Sequence, residues 1–440
     1  MDRIGVGLLG CGTVGTGVAK ILAENREILQ SRLGADLYLA AACDKEPARE
    51  KEIPLPRGRF FTDAEELLND PDISVVVELI GGIEPAKTFI TQALAAGKSV
   101  VTANKALLAH HGGEIAAAAQ KGGGDLLFEA AVGGVMPVIK TLRESLAGNR
   151  ILSMYGILNG TCNYILSKIT FEGKTFDQAL SEAQAAGYAE ADPGLDVDGM
   201  DTAHKLAITA SLAWGTPVDL DHIYVEGIRR ITPLDIRMAG EFGYRVKLLA
   251  IAKRRRNSIE CRVHPTMVPM DNLLSSVNGA MNAFMIHGDA AGEIVLYGQG
   301  AGRMPTGSAV VSDLVDVARN RLCRGAGCRV PILSTTPEQM RRLPVLPISD
   351  IVTRYYVRFS AADRPGVLSK LSGILGAHDI SISSVHQKGR RATGPVSIVM
   401  LTHEAPESGM QQALEQIAGL DVITDKPMLI RIEDDNAQEE

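Results

Sequence analysis

No apolar run in these 440 residues approaches the roughly 18–20 residues that a membrane-spanning helix needs. The chain opens Met1-Asp2-Arg3 and passes straight into an apolar strand pattern, so no secretory leader is expected and a cytoplasmic location is the expectation. Cysteine is sparse. Six scattered residues make no disulfide framework, which predicts free thiols. Positive charge is in deficit, with 45 Lys and Arg against 52 Asp and Glu, and the net charge of −7 argues against nucleic acid as the main partner. One basic cluster, Lys253-Arg254-Arg255-Arg256, follows the apolar run Val246 to Ala252 and reads as the solvated end of a strand or helix. Internal repeats are absent. What remains is an ordinary globular composition, 45% hydrophobic and 22% charged, long enough for about two to four domains.

Ile4 to Leu9 reads as a buried strand, followed by glycines and a helical pattern through Val18, Ile21 and Leu22. Further strands are expected over 37–43, 73–79, 99–102 and 126–129, with a helix over 87–96 stopped by Gly97. Strands alternating with helices predict a parallel, doubly wound sheet. After Pro137 the pattern becomes mixed α+β, with helices over 163–170, 176–187 and 202–214 and strands over 151–158 and 260–267. The glycine-rich stretch 297–308 precedes a helical pattern over 309–321. From Ile351 the order is βαββαβ, with strands over 354–359, 380–387, 396–403 and 426–432 and helices over 367–377 and 408–417. The acidic end 433–440 is expected to fray.

Gly10-Cys11-Gly12-Thr13-Val14-Gly15 is a G-x-G-x-x-G turn placed directly between strand and helix. The first glycine permits the tight turn, the second lets a pyrophosphate approach the backbone, and the third lets helix pack on strand. The helix amides then meet the phosphates. Asp44, at the end of the second strand, suits the ribose 2′-hydroxyl of NAD; Lys45 and Arg49 suit the 2′-phosphate of NADP. Both remain open. Thr102-Ala103-Asn104-Lys105 follows the 99–102 strand at the carboxyl edge, where Lys105 is either a group reaching the ligand or a surface lysine opening a helix.

The segment 187–201, GYAEADPGLDVDGMD, packs five carboxylates into the twelve positions from Glu190 to Asp201 and leads into a helix. On that helix Asp201 and Lys205 share one face in the favourable acid-first order. Hydride reduction of a carbonyl creates an alkoxide, which a lysine ammonium can stabilise and protonate. Neighbouring acids suit a substrate ammonium. An exposed ion pair on an acid-capped helix start is the plain alternative. A calcium loop fails, because position twelve from Asp196 is Ala207. His204, about 100° round the helix from Lys205, reads as packed or solvated.

The glycine turn, TANK (102–105), EAAVGGVMP (129–137), GILNGTCNYIL (156–166), GYAEADPGLDVDGMDTAHKL (187–206) and GQGAGRMPTGSAVVSDL (298–314) together resemble homoserine dehydrogenase. They occur in the family's order and cover nearly all of residues 1 to about 350. The resemblance implies a Rossmann nucleotide domain over 1–135 completed by a helix 305–325, an α+β catalytic and dimerisation domain over 136–304, and a linker over 326–350. It implies NAD(P)-dependent, reversible reduction of L-aspartate 4-semialdehyde to L-homoserine, on the route to threonine, methionine and isoleucine. Lys205 matches the proton donor, with Asp201 and Lys105 beside it; Glu190 and Asp196 match positions that hold homoserine, and Gly300 one that touches the cofactor. Glu129, Val132, Gly134 and Met136 match a monovalent-cation site, usually sodium, which a carboxyl and backbone carbonyls suit. Cys43 departs from the pattern, since many members carry Arg there, and this puts NADP preference in doubt. A homodimer or homotetramer is expected, and with no kinase segment ahead of the glycine turn the chain reads as monofunctional.

Asp363-Arg364-Pro365-Gly366-Val367-Leu368 joins the first strand and helix of the βαββαβ unit, 351–435, which resembles the ferredoxin-like ACT domain. That resemblance implies an amino-acid site at Asp363 and Gly366, with threonine as feedback inhibitor; a dimerisation module without ligand is the alternative. Two rival functions remain. A cysteine-dependent acylating semialdehyde dehydrogenase would use Cys162, placed just before a helix where a thiolate is favoured. A non-catalytic nucleotide sensor would bind the cofactor without turnover.

Overall fold

The computed structural model describes residues 1–323, 330–335, 339–387 and 395–434. Most of the acidic end, a smaller part of the 326–350 linker, the last residues of the 305–325 helix, and Cys328 lie outside them. Among the described residues no helix is long and apolar enough to cross a membrane, and Cys11, Cys43, Cys162, Cys261 and Cys323 are free thiols.

The first sheet contains β1 (Arg3–Leu9), β2 (Asp36–Cys43), β3 (Phe60–Phe61), β4 (Val75–Glu78), β5 (Ser99–Thr102) and β6 (Leu126–Leu127). Their order is β3-β2-β1-β4-β5-β6, every neighbouring pair is parallel, and the order reverses beside β1, which opens a crevice at the carboxyl ends. Both faces are covered. Val75 and Val77 pack with Val6, Leu8, Val18 and Leu314, while Val76 and Val100 pack with Leu67, Ile90 and Leu107. Burial on both sides explains the unbroken β-branched runs. Strand β3 was not expected; two half-buried residues carry no periodicity to read.

Flanking β1 is α1 (Thr13–Glu24), and β5 leads into α2 (Lys105–Gly122). The catalytic half supplies β7 (Ile151–Ile157), α3 (Gly160–Glu172), α4 (Met200–Trp214), α5 (Pro233–Glu241), β8 (Tyr244–Arg254), β9 (Ile259–Pro269), β10 (Met281–Gly288) and β11 (Gly292–Gln299), after which the chain passes into α6 (Arg303–Leu322) on the nucleotide half. Helix α6 begins six residues before the expected 309–321. Its Pro305 lies in the first turn, where a missing N–H costs nothing, and the glycines ahead of it hide the start. It returns to pack on α1: a Cβ on Gly17 would lie 2.2 Å from the Arg303 carbonyl oxygen.

The C-terminal unit is β12 (Val352–Ala362), α7 (Val367–Ala377), β13 (Ile382–Gln387), β14 (Pro395–Thr402), α8 (Glu407–Ala418) and β15 (Ile423–Ile432). It is not a separate bead. One sheet runs β11-β10-β7-β8-β9-β15-β12-β14-β13, with β9 and β15 paired in parallel through Thr266–Arg431 and Met267–Ile432. The basic cluster corrects one expectation here. Lys253 is not solvated; it pairs with Glu433 beside the junction, Arg255 pairs with Glu260 at 2.8 Å, and Arg256 is exposed.

Candidate active site between the nucleotide and catalytic halves

The glycine turn has the shape a pyrophosphate needs. Gly10 sits at φ +95°, and a Cβ there would lie 2.7 Å from the Leu79 carbonyl oxygen. A Cβ on Gly15 would lie 2.2 Å from the Gly10 carbonyl oxygen, so helix and strand touch through bare backbone. The missing Cβ of Gly12 faces open space, its nearest neighbour being Arg49 Nη1 at 3.9 Å. Among the described residues no side chain caps α1, which leaves the amides that open it, at Thr13 and Val14, for a ligand. These observations fit a bound dinucleotide. Asp44 accepts hydrogen bonds from the Cys11 amide at 2.7 Å and the Glu46 amide at 3.0 Å. Arg49 donates to the Cys11 carbonyl oxygen at 3.2 Å and pairs with Glu46 at 2.9 Å, while Lys45 is exposed.

At the carboxyl edge, Thr102 donates to the buried Glu78 at 2.6 Å, and Asn104 caps α2 by accepting from the Leu107 amide. This fixes the start of α2, where Lys105 reaches across to the catalytic half and pairs with Asp201 at 3.0 Å. Lys105 does open a helix and keeps 42% of its side chain in solvent, as a surface lysine would, but it is paired with Asp201.

Asp201 is 6% exposed and Lys205 8%, so the alternative of an exposed ion pair also fails. Lys205 Nζ donates to Asp201 Oδ2 at 2.7 Å and to the Leu158 carbonyl oxygen at 2.6 Å. An ammonium has three donors, which leaves one for a ligand oxygen. Asn159 ties the cluster together: its amide donates to Asp201 at 2.9 Å and Asp196 at 2.7 Å, and its carbonyl oxygen caps α3 by accepting from the Cys162 amide. Thr161 adds a bond to Asp196 at 3.1 Å. Nothing in the carboxylate spacing singles out Asn159. The available signal was an Asn-Gly-Thr helix start, but the helix was expected from 163 and begins at Gly160.

Electrostatics follow from this packing. Burial alone would raise the Asp201 carboxyl, yet the Lys205 and Lys105 ammoniums hold it far below the usual carboxylate range. Lys205 moves the other way from a simple ion pair: burial lowers it, and Asp201 offsets only part of that. Lys105 is raised, chiefly by Asp201. Burial and the neighbouring Asp201 raise Asp196. Glu190 is exposed at the rim of the same segment. The arrangement can hold one amine charged but ready to release a proton, beside a carboxylate that stays ionised.

Cys162 corrects its expectation. It lies inside α3 rather than before it, is fully buried, and burial first and Asp196 second push its thiol well above the usual range. A thiolate nucleophile is not available there. His204 is packed against His110, ring centroids 5.5 Å apart.

The remaining expected positions fall at two places. Glu129 is buried; it accepts from the Ile139 and Lys140 amides at 2.8 and 2.9 Å, and burial pushes its carboxyl up to about 6. Its own amide donates to the buried Asp313 of α6. Val132 and Met136 are buried nearby, and a Cβ on Gly134 would lie 2.5 Å from the Gln299 carbonyl oxygen, against the Gly300 loop. Among the described residues no group of three or more His, Cys, Asp or Glu is arranged to hold a metal. Asp363 and Gly366 lie in an exposed turn, with Gly366 at φ +88° opening α7 without a side-chain cap.

Comparison with known proteins now decides the family. Models described as homoserine dehydrogenase, its NAD-binding domain and the ACT domain match residues 137–315, 10–129 and 355–422. Homoserine dehydrogenase of Neisseria gonorrhoeae is 43% identical over 433 residues, spanning 98% of this chain and 99% of that protein. The chain belongs to the homoserine dehydrogenase family. The crystal structure of a homoserine dehydrogenase from Thiobacillus denitrificans superposes with a TM-score of 0.93 at 46% identity, covering 99% of both chains. A hyperthermophilic archaeal homoserine dehydrogenase in complex with NADPH gives a TM-score of 0.62 at 28% identity, over 72% of this chain and 97% of that one. The chain is accordingly an oxidoreductase with a nucleotide-binding domain and an ACT domain; the acylating and sensor readings fall.

Proposed function

We propose that this homoserine dehydrogenase reduces L-aspartate 4-semialdehyde to L-homoserine reversibly, with Lys205 as proton donor, in supply of threonine, methionine and isoleucine. The observation that carries the assignment of roles is the buried Lys205–Asp201 pair joined across the domain boundary by Lys105. When bound, a reduced nicotinamide supplies the hydride. Lys205 places its free N–H on the aldehyde oxygen and passes that proton to the alkoxide as it forms. Asp201 stays ionised throughout and holds both lysines in place, while Asp196 and Glu190 take the substrate ammonium. Homoserine oxidation followed by nicotinamide absorbance, with NAD and NADP compared, tests this; no turnover with either cofactor would refute it.

For the cofactor we favour NADP. Arg49 is the side chain nearest the open face of Gly12, 3.9 Å from where a Cβ would lie. A monovalent cation, sodium by chemistry, would be held by Glu129 with the Val132, Gly134 and Met136 backbone; two buried acids, Glu129 and Asp313, lie close enough there to favour a positive charge. Replacing sodium by tetramethylammonium should reduce activity. Threonine is the proposed regulator, its carboxylate at the open start of α7, and isothermal titration reads that directly. A homodimer or homotetramer completes the proposal, supported by the outer strand β11 with its exposed Tyr297; sedimentation measures it.

A further inference from the structure

Asn282, on β10, is 1% exposed, and neither its amide nitrogen nor its carbonyl oxygen has a partner among the described residues. A carboxamide withdrawn from water with nothing in exchange is costly, and buried polar side chains are overwhelmingly paired. An apolar side chain of the same size would pack there without that cost. The position explains what the polar group is for. A Cβ on Gly300 would lie 2.0 Å from Asn282 Nδ2, so the carboxamide occupies the space a side chain at 300 would fill. A Cβ on Gly160 would lie 3.5 Å from Asn282 Oδ1.

The carboxamide therefore neighbours two stretches of bare backbone. One is the Asn159–Gly160 turn, which anchors Asp201 and Asp196. The other is the Gly300 loop, which runs into α6 and reaches α1 through Arg303. We infer that Asn282 is a positioning residue whose carboxamide forms its hydrogen bonds in the cofactor-bound state, latching the Gly300 loop to the Asn159–Gly160 turn. Carrying donors and an acceptor together, it can meet a backbone N–H and a backbone C=O at once, and glycine at 160 and 300 permits the approach. Cofactor binding then draws the nucleotide half onto the Lys205 site. This inference rests on the hydride-transfer reading above.

Melting temperature and nucleotide titration test it, using the full chain with NADPH and NADH in parallel. Asn282→Leu removes the hydrogen bonding at nearly constant size. It should melt without ligand at or above the wild-type temperature, show a smaller ligand-induced rise, and bind the preferred nucleotide on the order of tenfold more weakly. Asn282→Ser, which keeps a hydroxyl, should fall between, and it carries the test if the leucine variant does not fold. A leucine variant that melts lower without ligand yet binds nucleotide like wild type overturns the inference. Wild-type protein that binds nucleotide but does not oxidise homoserine sinks the functional reading instead.

Discussion

At the active site two ammoniums, Lys105 and Lys205, converge on one ionised carboxylate, Asp201. At the junction of β9 and β15 the charges are matched partner for partner. Arg431 is held by Glu407 at 2.9 Å and Glu226 at 3.2 Å, Arg262 by Glu260 and Glu433, and Lys253 by Glu433. Farther along, Arg358 and the Tyr356 hydroxyl meet Asp235 at the start of α5. Both regions bury charge, with opposite consequences. The junction spends its donors and acceptors on tying the catalytic and C-terminal parts of one sheet together. The active site leaves a donor over on Lys205 and opens onto a crevice. Buried charge that is fully matched is architecture, and buried charge with a group to spare is chemistry.

The largest expected effect breaks the chemical half of that contrast. Lys205→Ala should lower kcat for homoserine oxidation by about 10²–10⁴, with a smaller change in KM, because the lost interaction belongs to the transition state. Steady-state kinetics on the purified variant checks this, and near-normal turnover would remove Lys205 from the mechanism. Asp201→Asn sharpens it through pH. Oxidation needs Lys205 uncharged to accept the proton, and burial already lowers its pKa from that of a free lysine. Asp201 works against that lowering, and Lys105 adds to it. Removing the carboxylate should therefore move the rising limb of the kcat profile to lower pH; a move to higher pH would contradict the assignment.

The architectural half predicts the reverse pattern. Glu407 and Arg431 are both 1% exposed at the side chain. Glu407→Gln leaves a buried guanidinium short of its main counter-charge and should cost about 3–5 kcal/mol of stability. Urea and thermal unfolding would show the loss, while kcat of the protein that remains folded should hold near wild type. A variant stable as wild type but slow would mean the junction also serves turnover.

How much of this was legible depends on distance along the chain. The β1 turn, β5 and α7 follow from local periodicity and turn chemistry, and their limits agree with the sequence to within a residue or two. The Asp201–Lys205 pair was legible because both lie on one helix. Lys105 could be placed at the right edge of the sheet, but its partner, ninety-six positions away, could not be read from spacing. The junction was invisible. Arg431 and Arg262 fall within the expected strands 426–432 and 260–267, but nothing local encodes the pairing of β15 with β9 that buries them together. Asn159 was hidden for a smaller reason, a helix start misplaced by three residues.

Arg49 tests the comparison at its weakest point, since it is neither buried nor fully matched. Its guanidinium pairs with the exposed Glu46 at 2.9 Å and stands 3.9 Å from Asp44, with a third of the side chain in solvent. Pairs so exposed contribute little to folding, so Arg49→Ala should leave the melting temperature nearly unchanged. If a spare charge at the edge of the crevice is functional, the same substitution should lower kcat/KM for NADP about tenfold, most of it in KM, and leave NAD almost untouched. An equal loss with both nucleotides would place Arg49 at the pyrophosphate rather than the 2′-phosphate. No loss with either would return the guanidinium to the surface and leave Asp44, freed from competition, as the group that selects NAD.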